Sequence, residues 1–394
     1  MPGAALSETA AIATLTQTIL GSGVLALPYA FKSAGVAGGA LLTLLIYVLS
    51  AYTMTILVLL VEACGEYTYR GLAENTLKRS ASYVISLWVL CYTIGITMSY
   101  PVILGDFVNT LTTAWFGGAG VSREAGMTVL IVCVCWPLSC TPSLGFLSWT
   151  SLIGFIGVLL ALVAVIVRYA DGTYSSGNSD VVIFNADNFG ECFPVLVAAF
   201  GAHFSIPSLF QEVIGSSRSS LSLGPSLVAG SGTSKRSVML RVIAASLTIS
   251  GLVYGAVGIL VYATFGQETK PDFSMNFHSN DSWLVVVRIT MMLAICATFP
   301  LVTITSRETF MKLVLEPLGF QPGLKLRIAS ATILCTLCLL TGLVASNVAI
   351  VLAYNGSIFG TPVCFVAPSA MYLWLPAAQQ RRSCCWCCRV CCVV

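Results

Sequence analysis

Residues 21–28 read GSGVLALP, and this stretch decides how the whole sequence is interpreted. It lies inside an apolar segment, residues 9–31, that is long enough to cross a hydrocarbon core about 30 Å thick. The two glycines weaken a helix there, and Pro28 has no backbone N–H to donate. In a membrane, a backbone group freed in this way is tolerated only where it faces protein or a water-filled cavity. We therefore predict a discontinuous helix that lines a cavity.

A second apolar segment, residues 190–213, carries a similar interruption, FGAHFSIP at residues 200–207. If ten helices form two groups of five, these two segments are the first member of each group. Paired interruptions at corresponding positions are the best sequence indication of the binding site of an inverted-repeat transporter. The N-terminal end of a half-helix suits a carboxylate and the C-terminal end suits an ammonium, so the pair suits an amino acid. Two unrelated proline kinks are the alternative interpretation.

The composition of the whole chain also indicates a membrane protein. Of its 394 residues 57% are hydrophobic and 9% are charged, whereas a soluble domain carries about 25% charged residues. Lipid must therefore be its solvent. We predict an all-α integral membrane protein with about ten transmembrane helices in a five-plus-five inverted repeat, forming a single transmembrane domain within residues 1–394. The predicted spans are 9–31, 36–61, 82–112, 126–145, 148–168, 190–213, 241–265, 283–305, 328–346 and 348–374. The first repeat covers residues 9–168 and the second covers residues 190–374.

Lysine and arginine are distributed unevenly between the predicted loops. With the N-terminus inside, the outer segments hold only Lys32, Arg123, Arg168, Lys270 and Arg288, which leaves 14 of the 19 basic residues inside. Basic loops stay in the cytoplasm, so both termini are predicted to be cytoplasmic. A sequon at Asn280 would then lie outside, where glycosylation occurs. The plasma membrane and a vacuolar or lysosomal membrane are both compatible with this multi-pass topology.

The end of the chain, residues 375–394, is predicted to be a cysteine-rich cytoplasmic tail. Six cysteines fall in its last eleven residues, beside Arg381, Arg382 and Arg389. Cysteines next to a membrane helix and beside basic residues are typical of S-palmitoylation, and the arginines would be drawn to anionic lipid. An unmodified tail and a zinc-binding cluster are the alternatives.

Other classes of protein fit the sequence poorly. A net charge of +3, without a basic patch interleaved with aromatics, argues against a nucleic acid partner. The spans contain no metal-ligating cluster, no nucleophile beside a base and no phosphate-binding loop, so we predict no enzyme activity, no metal site and no cofactor. A solute channel would need a recognisable selectivity filter. A transporter-like amino acid sensor would need a sizeable cytosolic domain, and the N-terminal tail has fewer than ten residues. The channel and the sensor are kept as alternatives to a transporter.

Three helices carry motifs of a known family. Residues 16–35, TQTILGSGVLALPYAFKSAG, resemble the opening helix of the amino acid/auxin permease family in the Gly-Ser-Gly run and the following proline. Residues 200–213, FGAHFSIPSLFQEV, resemble that family's sixth helix, and residues 293–310, LAICATFPLVTITSRETF, resemble its eighth. The resemblance implies a LeuT-type fold in which helices one and six are discontinuous, and secondary active transport of amino acids by alternating access.

The resemblance also implies a set of substrate-binding residues. Backbone groups from Thr18 to Val24, with the side chain of Ser22, would hold the carboxylate and the amine of the substrate. Residues 200–203 would close the site from the other repeat. The implied substrate-binding residues are Thr18, Gly21, Ser22, Gly23, Val24, Phe200, Gly201 and His203.

The same resemblance leaves the coupling ion open. In sodium-coupled members an asparagine before the first-helix glycines and a threonine in the eighth helix contribute to cation coordination. Thr298 is present here, but Gln17 stands where the asparagine would be. Sodium coupling, proton coupling and facilitated exchange are therefore all kept as interpretations.

His203 is the only histidine inside a predicted span. Burying a charged histidine at this depth is costly, so its presence there indicates a functional role by default. It would contact the substrate or relay a proton. The alternative is a neutral histidine that donates to a carbonyl of the broken helix.

Overall fold

The structure is a computed structural model that describes residues 7–117, 120–141, 148–174, 180–219, 232–320 and 323–376. Regular secondary structure in these ranges is helical throughout. The α-helices are α1 (Glu8–Leu20), α2 (Gly23–Cys64), α3 (Tyr69–Thr76), α4 (Arg79–Phe116), α5 (Arg123–Leu130), α6 (Trp136–Ser139), α7 (Ser148–Ala170), α8 (Phe189–Ala199), α9 (Ile206–Ser219), α10 (Gly232–Phe265), α11 (Ser282–Phe310), α12 (Leu324–Val344), α13 (Val348–Asn355) and α14 (Ala367–Leu373).

Eight helical stretches of the described chain are long and apolar enough to cross a membrane. They are Gly23–Cys64, Arg79–Phe116, Leu152–Ala170, Phe189–Val213, Lys235–Glu268, Ser282–Leu315, Leu324–Val344 and Val348–Leu373. The prediction of an all-α membrane protein is confirmed, but the count of about ten spans is not. The first two predicted spans count as one, because α1 has only 13 residues and α2 is one stretch of 42 residues. The fourth predicted span does not count as one long helix, because a π-helical turn, Ile131–Cys135, separates α5 from α6.

Helix α2 contains part of the first predicted span and the whole of the second. At 1.5 Å per residue its 42 residues extend roughly 63 Å, about twice the thickness of a hydrocarbon core. The helical geometry is interrupted at Gly35, where φ is 78° and ψ is 168°. A positive φ favours glycine, and a Cβ at this position would also lie 2.7 Å from the carbonyl oxygen of Ile183. Gly35 therefore divides α2 into two parts and lets another segment approach closely.

The segment that approaches Gly35 is the connection between α7 and α8. The N–H groups of Val36 and Ala37 donate to the carbonyls of Val182 and Ile183 at 3.1 and 2.8 Å. In the other direction, the N–H of Asn185 donates to a carbonyl at the end of the first part of α2, at 3.0 Å. Backbone groups freed where α2 is interrupted are satisfied by this connection, so the two segments hold each other in place.

The first predicted helix break is present, but it lies at the glycines alone. α1 ends at Leu20 and α2 begins at Gly23, while Gly21 adopts a φ of 25° and a ψ of −138°. Pro28 lies inside α2, five residues after its start, and does not interrupt the helix. A glycine allows the backbone to leave the helix, whereas the hydrogen bond lost at a membrane proline is compensated by neighbouring groups.

The second predicted break is also present. α8 ends at Ala199 and α9 begins at Ile206, with a short 3₁₀ turn, His203–Ser205, between them. Pro207 is the second residue of α9, where its missing N–H has no acceptor to lose. Both predicted discontinuities are therefore confirmed.

Helix α2 is at the centre of the packing, because it lies along both α10 and α8. Helix α11 packs along α7 and α4, and α1 packs against α10 and α7. Helix α13 contacts α8 and α4. The buried apolar residues of these helices form one continuous core. Both ends of each helix break are thereby enclosed by other helices.

Some predictions fall on parts of the chain that the structure does not cover. Of the predicted tail, residues 375–394, only the first two lie within the described residues. Residues 142–145 of the fourth predicted span lie outside them as well. Acylation of the tail and the division into repeats at residues 9–168 and 190–374 stay predictions.

Candidate functional site

The two helix breaks lie against each other in the interior of the bundle. A Cβ built on Gly23, the first residue of α2, would lie 2.9 Å from the Cβ of Ala199, the last residue of α8. Carbon atoms of two side chains do not approach so closely, because their optimal separation is about 3.5–4.0 Å. A glycine at position 23 is therefore what allows the two breaks to touch.

Tyr254 of α10 joins both breaks through its hydroxyl group. The hydroxyl oxygen lies 2.5 Å from the carbonyl oxygen of Ile19 in α1 and 3.0 Å from that of Ala199 in α8. The last carbonyls of a helix have no partner within the helix, and inside a membrane they need one. A hydroxyl carries one proton, so these two carbonyls compete for a single donor.

Tyr92 of α4 has a similar role on the other side of the second break. Its hydroxyl donates to the carbonyl of Gly201 at 2.9 Å and lies 3.3 Å from that of Ala198. Both Tyr92 and Tyr254 are fully buried. Sequence reasoning missed these two tyrosines. The available signal was a tyrosine within an apolar span, because its hydroxyl needs a hydrogen-bond partner when it is buried.

A cavity lies at the breaks, and we call it the central cavity. It is lined by Thr18, Ile19, Gly21, Ser22, Gly23, Ile96, Tyr100, Ala198, Ala199, Gly201 and Leu352. These residues come from both broken helices, from α4 and from α13. None of the lining side chains carries a formal charge. The lining combines apolar side chains with hydroxyl and backbone polar groups, a combination typical of a site for a small molecule.

A second cavity adjoins the first, and we call it the side cavity. The two cavities share Gly21, Ser22 and Tyr100 as lining residues. The side cavity is lined by Gln17, Gly21, Ser22, Tyr100, Met291, Ala294, Ile295 and Thr298. The first break therefore faces α8 and α13 on one side and α11 on the other.

The structure brings together five of the eight substrate-binding residues that the family resemblance implies. Thr18, Gly21, Ser22, Gly23 and Gly201 line the central cavity. Val24, Phe200 and His203 line neither cavity. The ring of Phe200 instead packs edge-to-face on the ring of Tyr254, with centroids 5.1 Å apart. The substrate-binding role of all eight residues stays a prediction.

Ser22 is engaged by a residue that the sequence did not single out. Its hydroxyl oxygen lies 3.2 Å from that of Ser99 in α4, and either group can be the donor. Both side chains are buried. A substrate amine that binds the hydroxyl of Ser22 would therefore compete with Ser99 for it.

His203 is buried beside α2 rather than in the central cavity. Its Nε2 atom lies 2.8 Å from the hydroxyl oxygen of Thr53, so its partner is a side chain and not a carbonyl of the broken helix. Nδ1 is buried and has no hydrogen-bond partner among the described residues. The ring of Phe365 packs edge-on against the imidazole, with centroids 6.0 Å apart. This position links His203 to helix packing and leaves its function a prediction.

Gln17 and Thr298 lie together on the side cavity, as the resemblance implies. The Oε1 atom of Gln17 is buried and has no hydrogen-bond partner in the described part of the chain. Thr298 donates its hydroxyl proton to the carbonyl of Ala294 at 2.8 Å, which leaves the oxygen lone pairs to accept. Hard cations take oxygen ligands, so these two side chains fit a small cation. The described residues contain no group of three or more His, Cys, Asp or Glu side chains that could hold a resident metal ion.

The chain matches the family described as transmembrane amino acid transporter protein, over residues 5–222 and 232–394. These two ranges cover nearly the whole sequence. The chain belongs to this family. The resemblance of its first, sixth and eighth helices to amino acid/auxin permeases is thereby confirmed.

Several relatives of this transporter are similar along most of its length. "Putative sodium-coupled neutral amino acid transporter 11" of Danio rerio is 26% identical over 401 residues, which cover 98% of this chain and 81% of the relative. "Sodium-coupled neutral amino acid transporter 7" of Xenopus laevis is 23% identical over 387 residues, covering 91% and 78%. "Solute carrier family 38 member 10" of Homo sapiens is 21% identical, and the match covers 94% of this chain but 33% of that longer protein.

The transporter is also similar to a solved structure, "Inward facing conformation of Mhp1", with a TM-score of 0.58. The match covers 94% of this chain and 79% of the other, at 11% sequence identity. A likeness at this identity concerns the fold alone. Because Mhp1 has the LeuT-type fold, the fold implied by the sequence motifs is confirmed.

Proposed function

We propose that this transporter carries neutral amino acids across the membrane by alternating access, with the substrate bound in the central cavity. The observation that carries the proposal is that both discontinuous helices end at this one cavity. The absence of formal charge among its lining residues favours a neutral side chain, because a charged side chain would be buried without a counter-ion.

The ends of the broken helices suit the head group of an amino acid. Helix α2 begins at Gly23, and the N–H groups of its first turn have no acceptor within the helix. Together with the positive end of the helix dipole they attract a carboxylate. Helices α1 and α8 end at the same place with carbonyl groups, which accept from an ammonium. An ammonium that donates to Ile19 or Ala199 would release that carbonyl from its competition for the proton of Tyr254.

We further propose sodium as the coupling ion, transported as a co-substrate through the side cavity. The unpartnered Oε1 of Gln17 and the hydroxyl oxygen of Thr298 supply two oxygen ligands there. Two of the relatives described above are named as sodium-coupled transporters.

The uneven distribution of basic residues supports cytoplasmic termini, in the plasma membrane or in a vacuolar or lysosomal membrane.

Uptake into proteoliposomes tests the substrate and the ion together. A panel of labelled amino acids is offered with an inward sodium gradient and, separately, with an inward proton gradient. We expect accumulation of neutral amino acids that depends on the sodium gradient. Accumulation driven by protons alone would overturn the choice of ion. Saturable binding without uptake would favour an amino acid sensor, and conduction without saturation would favour a channel.

The position of the site is tested by Gly23→Ala. The added Cβ meets Ala199, so it pushes the two breaks apart, and small displacements of a binding site reduce activity roughly tenfold or more. Gly255→Ala on α10 is the matched control, because a Cβ there meets no atom of the described residues within 4 Å. Normal uptake by correctly inserted Gly23→Ala protein would contradict the proposed site.

A further inference from the structure

The connection between α10 and α11, residues 266–281, packs onto the helical bundle. Its 3₁₀ turn, Phe273–Asn276, lies against α2. Phe273 and Ser274 are fully buried, and the sulfur of Met275 lies 3.2 Å from the hydroxyl oxygen of Thr110 in α4. The connection therefore covers one end of the bundle and rests on at least two helices.

Arg288 of α11 holds this connection by its backbone. One terminal nitrogen donates to the carbonyls of Ser274 and Phe277, at 2.5 and 3.1 Å. The other donates to the carbonyls of His278 and Ser279, at 3.4 and 3.3 Å. The guanidinium is fully buried, and it forms no ion pair within the described residues. The seated connection thus encloses a cation whose partners are neutral carbonyls.

Asp272 is buried in the same connection, with only 3% of its surface exposed. Its Oδ1 atom accepts from the N–H of Ser274 at 2.9 Å and so caps the 3₁₀ turn. Its Oδ2 atom is buried and has no hydrogen-bond partner in the described part of the chain. A buried carboxylate oxygen without a donor is costly, whereas a protonated carboxyl group carries its own donor at that position.

The charges around Asp272 come from two helices. Asp106 of α4 acts on it as a like charge, although Asp106 itself is paired with Arg123 at 2.6 Å. Arg288 of α11 acts on it as an opposite charge, and α2 contributes no charged group to this set. Burial raises the pKa of the Asp272 carboxyl to about 7, and the charge of Asp106 adds to the effect. The bond from the N–H of Ser274, the nearby Ser274 hydroxyl and the charge of Arg288 oppose it.

We propose that Asp272 is a proton-binding site that is filled when the connection 266–281 is seated on the bundle and emptied when the connection lifts into water. The proton comes from the solution on that face and returns to it, so no other group needs to change its charge. The proposal rests on the proposed function, because alternating access requires that one face of the bundle opens and closes around the central cavity. Protonation of one carboxyl group, that of Asp272, would then stabilise the state in which the connection 266–281 covers that face.

The direction of the pH effect follows from the difference between the pKa of Asp272 in the seated connection and its pKa in the lifted connection. A carboxyl group in water has a pKa of about 4, so between about pH 4 and pH 7 the seated connection holds a proton that the lifted one has released. Lowering the pH through this window favours the seated state, by about tenfold per pH unit at most for one linked proton. Above pH 7 the carboxyl is ionised in both states, and this preference for the seated state is lost.

The test measures how accessible the covered surface is at different pH values. Thr110→Cys places a thiol beneath the connection, and Asn280→Cys places a reference thiol on an exposed residue of the same connection. Both variants of the purified full-length protein are labelled in detergent with a water-soluble maleimide at pH 8 and pH 6. The ratio of the two labelling rates removes the general effect of pH on thiols, and the parent chain gives the background from native cysteines.

We expect the ratio to fall by about fivefold or more from pH 8 to pH 6 in the otherwise native protein. Asp272→Asn mimics the protonated group, so its ratio should be low and independent of pH. Asp187→Asn removes an exposed carboxylate elsewhere and should keep the native response. Asp272→Glu keeps a titrating carboxyl and should also respond to pH.

A native ratio that does not change between pH 8 and pH 6 would overturn the proposal, and so would an unchanged pH response in Asp272→Asn. If Asp272→Asn fails to fold, the pH dependence of the labelling ratio in the native protein and in Asp272→Glu still tests the proposal. Because labelling needs no substrate, a pH-dependent ratio in a protein without amino acid uptake would support the proton site and contradict the proposed function.

Discussion

Tyr254 shows how much a single side chain contributes to this site. Its hydroxyl lies within hydrogen-bond distance of carbonyls from both broken helices, so α10 holds the two breaks in register. Sequence reasoning identified Gly21, Ser22 and Gly23 because glycine weakens a helix, and this effect can be predicted from the sequence alone. It did not identify Tyr254, because the sequence of an apolar span does not indicate which carbonyl group a tyrosine hydroxyl in that span will bond.

Removing this hydroxyl tests its role. Tyr254→Phe leaves the ring in place but deprives buried carbonyls of their donor, which costs about 1–3 kcal/mol. We expect amino acid uptake to fall roughly tenfold while the protein still inserts. Tyr47→Phe is the control, because among the described residues the Tyr47 hydroxyl bonds the side chain of Thr248, at 3.2 Å, and not a carbonyl at either break. Equal uptake by the two variants would show that Tyr254 is not needed to hold the site.

Among the helices, α1 is the element most easily displaced. It is 13 residues long and is separated from α2 by the break at Gly21. Glu8 in its first turn forms a two-point ion pair with Arg241 of α10, at 2.9 Å for each contact. Both side chains are well exposed, so the pair limits the motion of α1 rather than fixing it.

Glu8→Gln should therefore loosen α1 without unfolding the bundle. The substitution removes the ion pair and the favourable charge at the helix N-terminus, so hydrogen exchange in residues 8–20 should accelerate by about threefold. Glu74→Gln is the control, because it breaks an exposed ion pair with Arg70 within α3. Hydrogen exchange read by mass spectrometry makes the comparison, and unchanged exchange in α1 would contradict the role given to Glu8.

Across the whole molecule, the connections determine which helix ends meet on each face. The connection 180–187 bonds to α2 at its interruption, and the connection 266–281 covers the region near Asp106 and Thr110 of α4. Ser80 lies at the other end of α4 and is exposed. Asn280 and Ser80 should therefore lie on opposite sides of the membrane.

Labelling of sealed membranes tests this arrangement. In vesicles with the cytoplasmic face inside, an impermeant thiol reagent should label Asn280→Cys and should label Ser80→Cys only after the vesicles are opened. The expectation follows from the predicted cytoplasmic termini. The reverse pattern would invert the orientation while leaving the fold intact. Labelling of both residues in sealed vesicles would contradict the placement of α4 across the membrane.

The sequence by itself determined that this chain is a helical membrane protein with two interrupted helices, because hydrophobicity and the effects of glycine act over a few neighbouring residues. It also carried the family motifs that lie around Gly21. Only the tertiary structure decided which atoms meet at the interruptions, since Ile19 and Tyr254 are 235 residues apart in the chain. The burial of Asp272 was decided in the same way, because a carboxylate in a loop is expected to be solvated until another helix covers it.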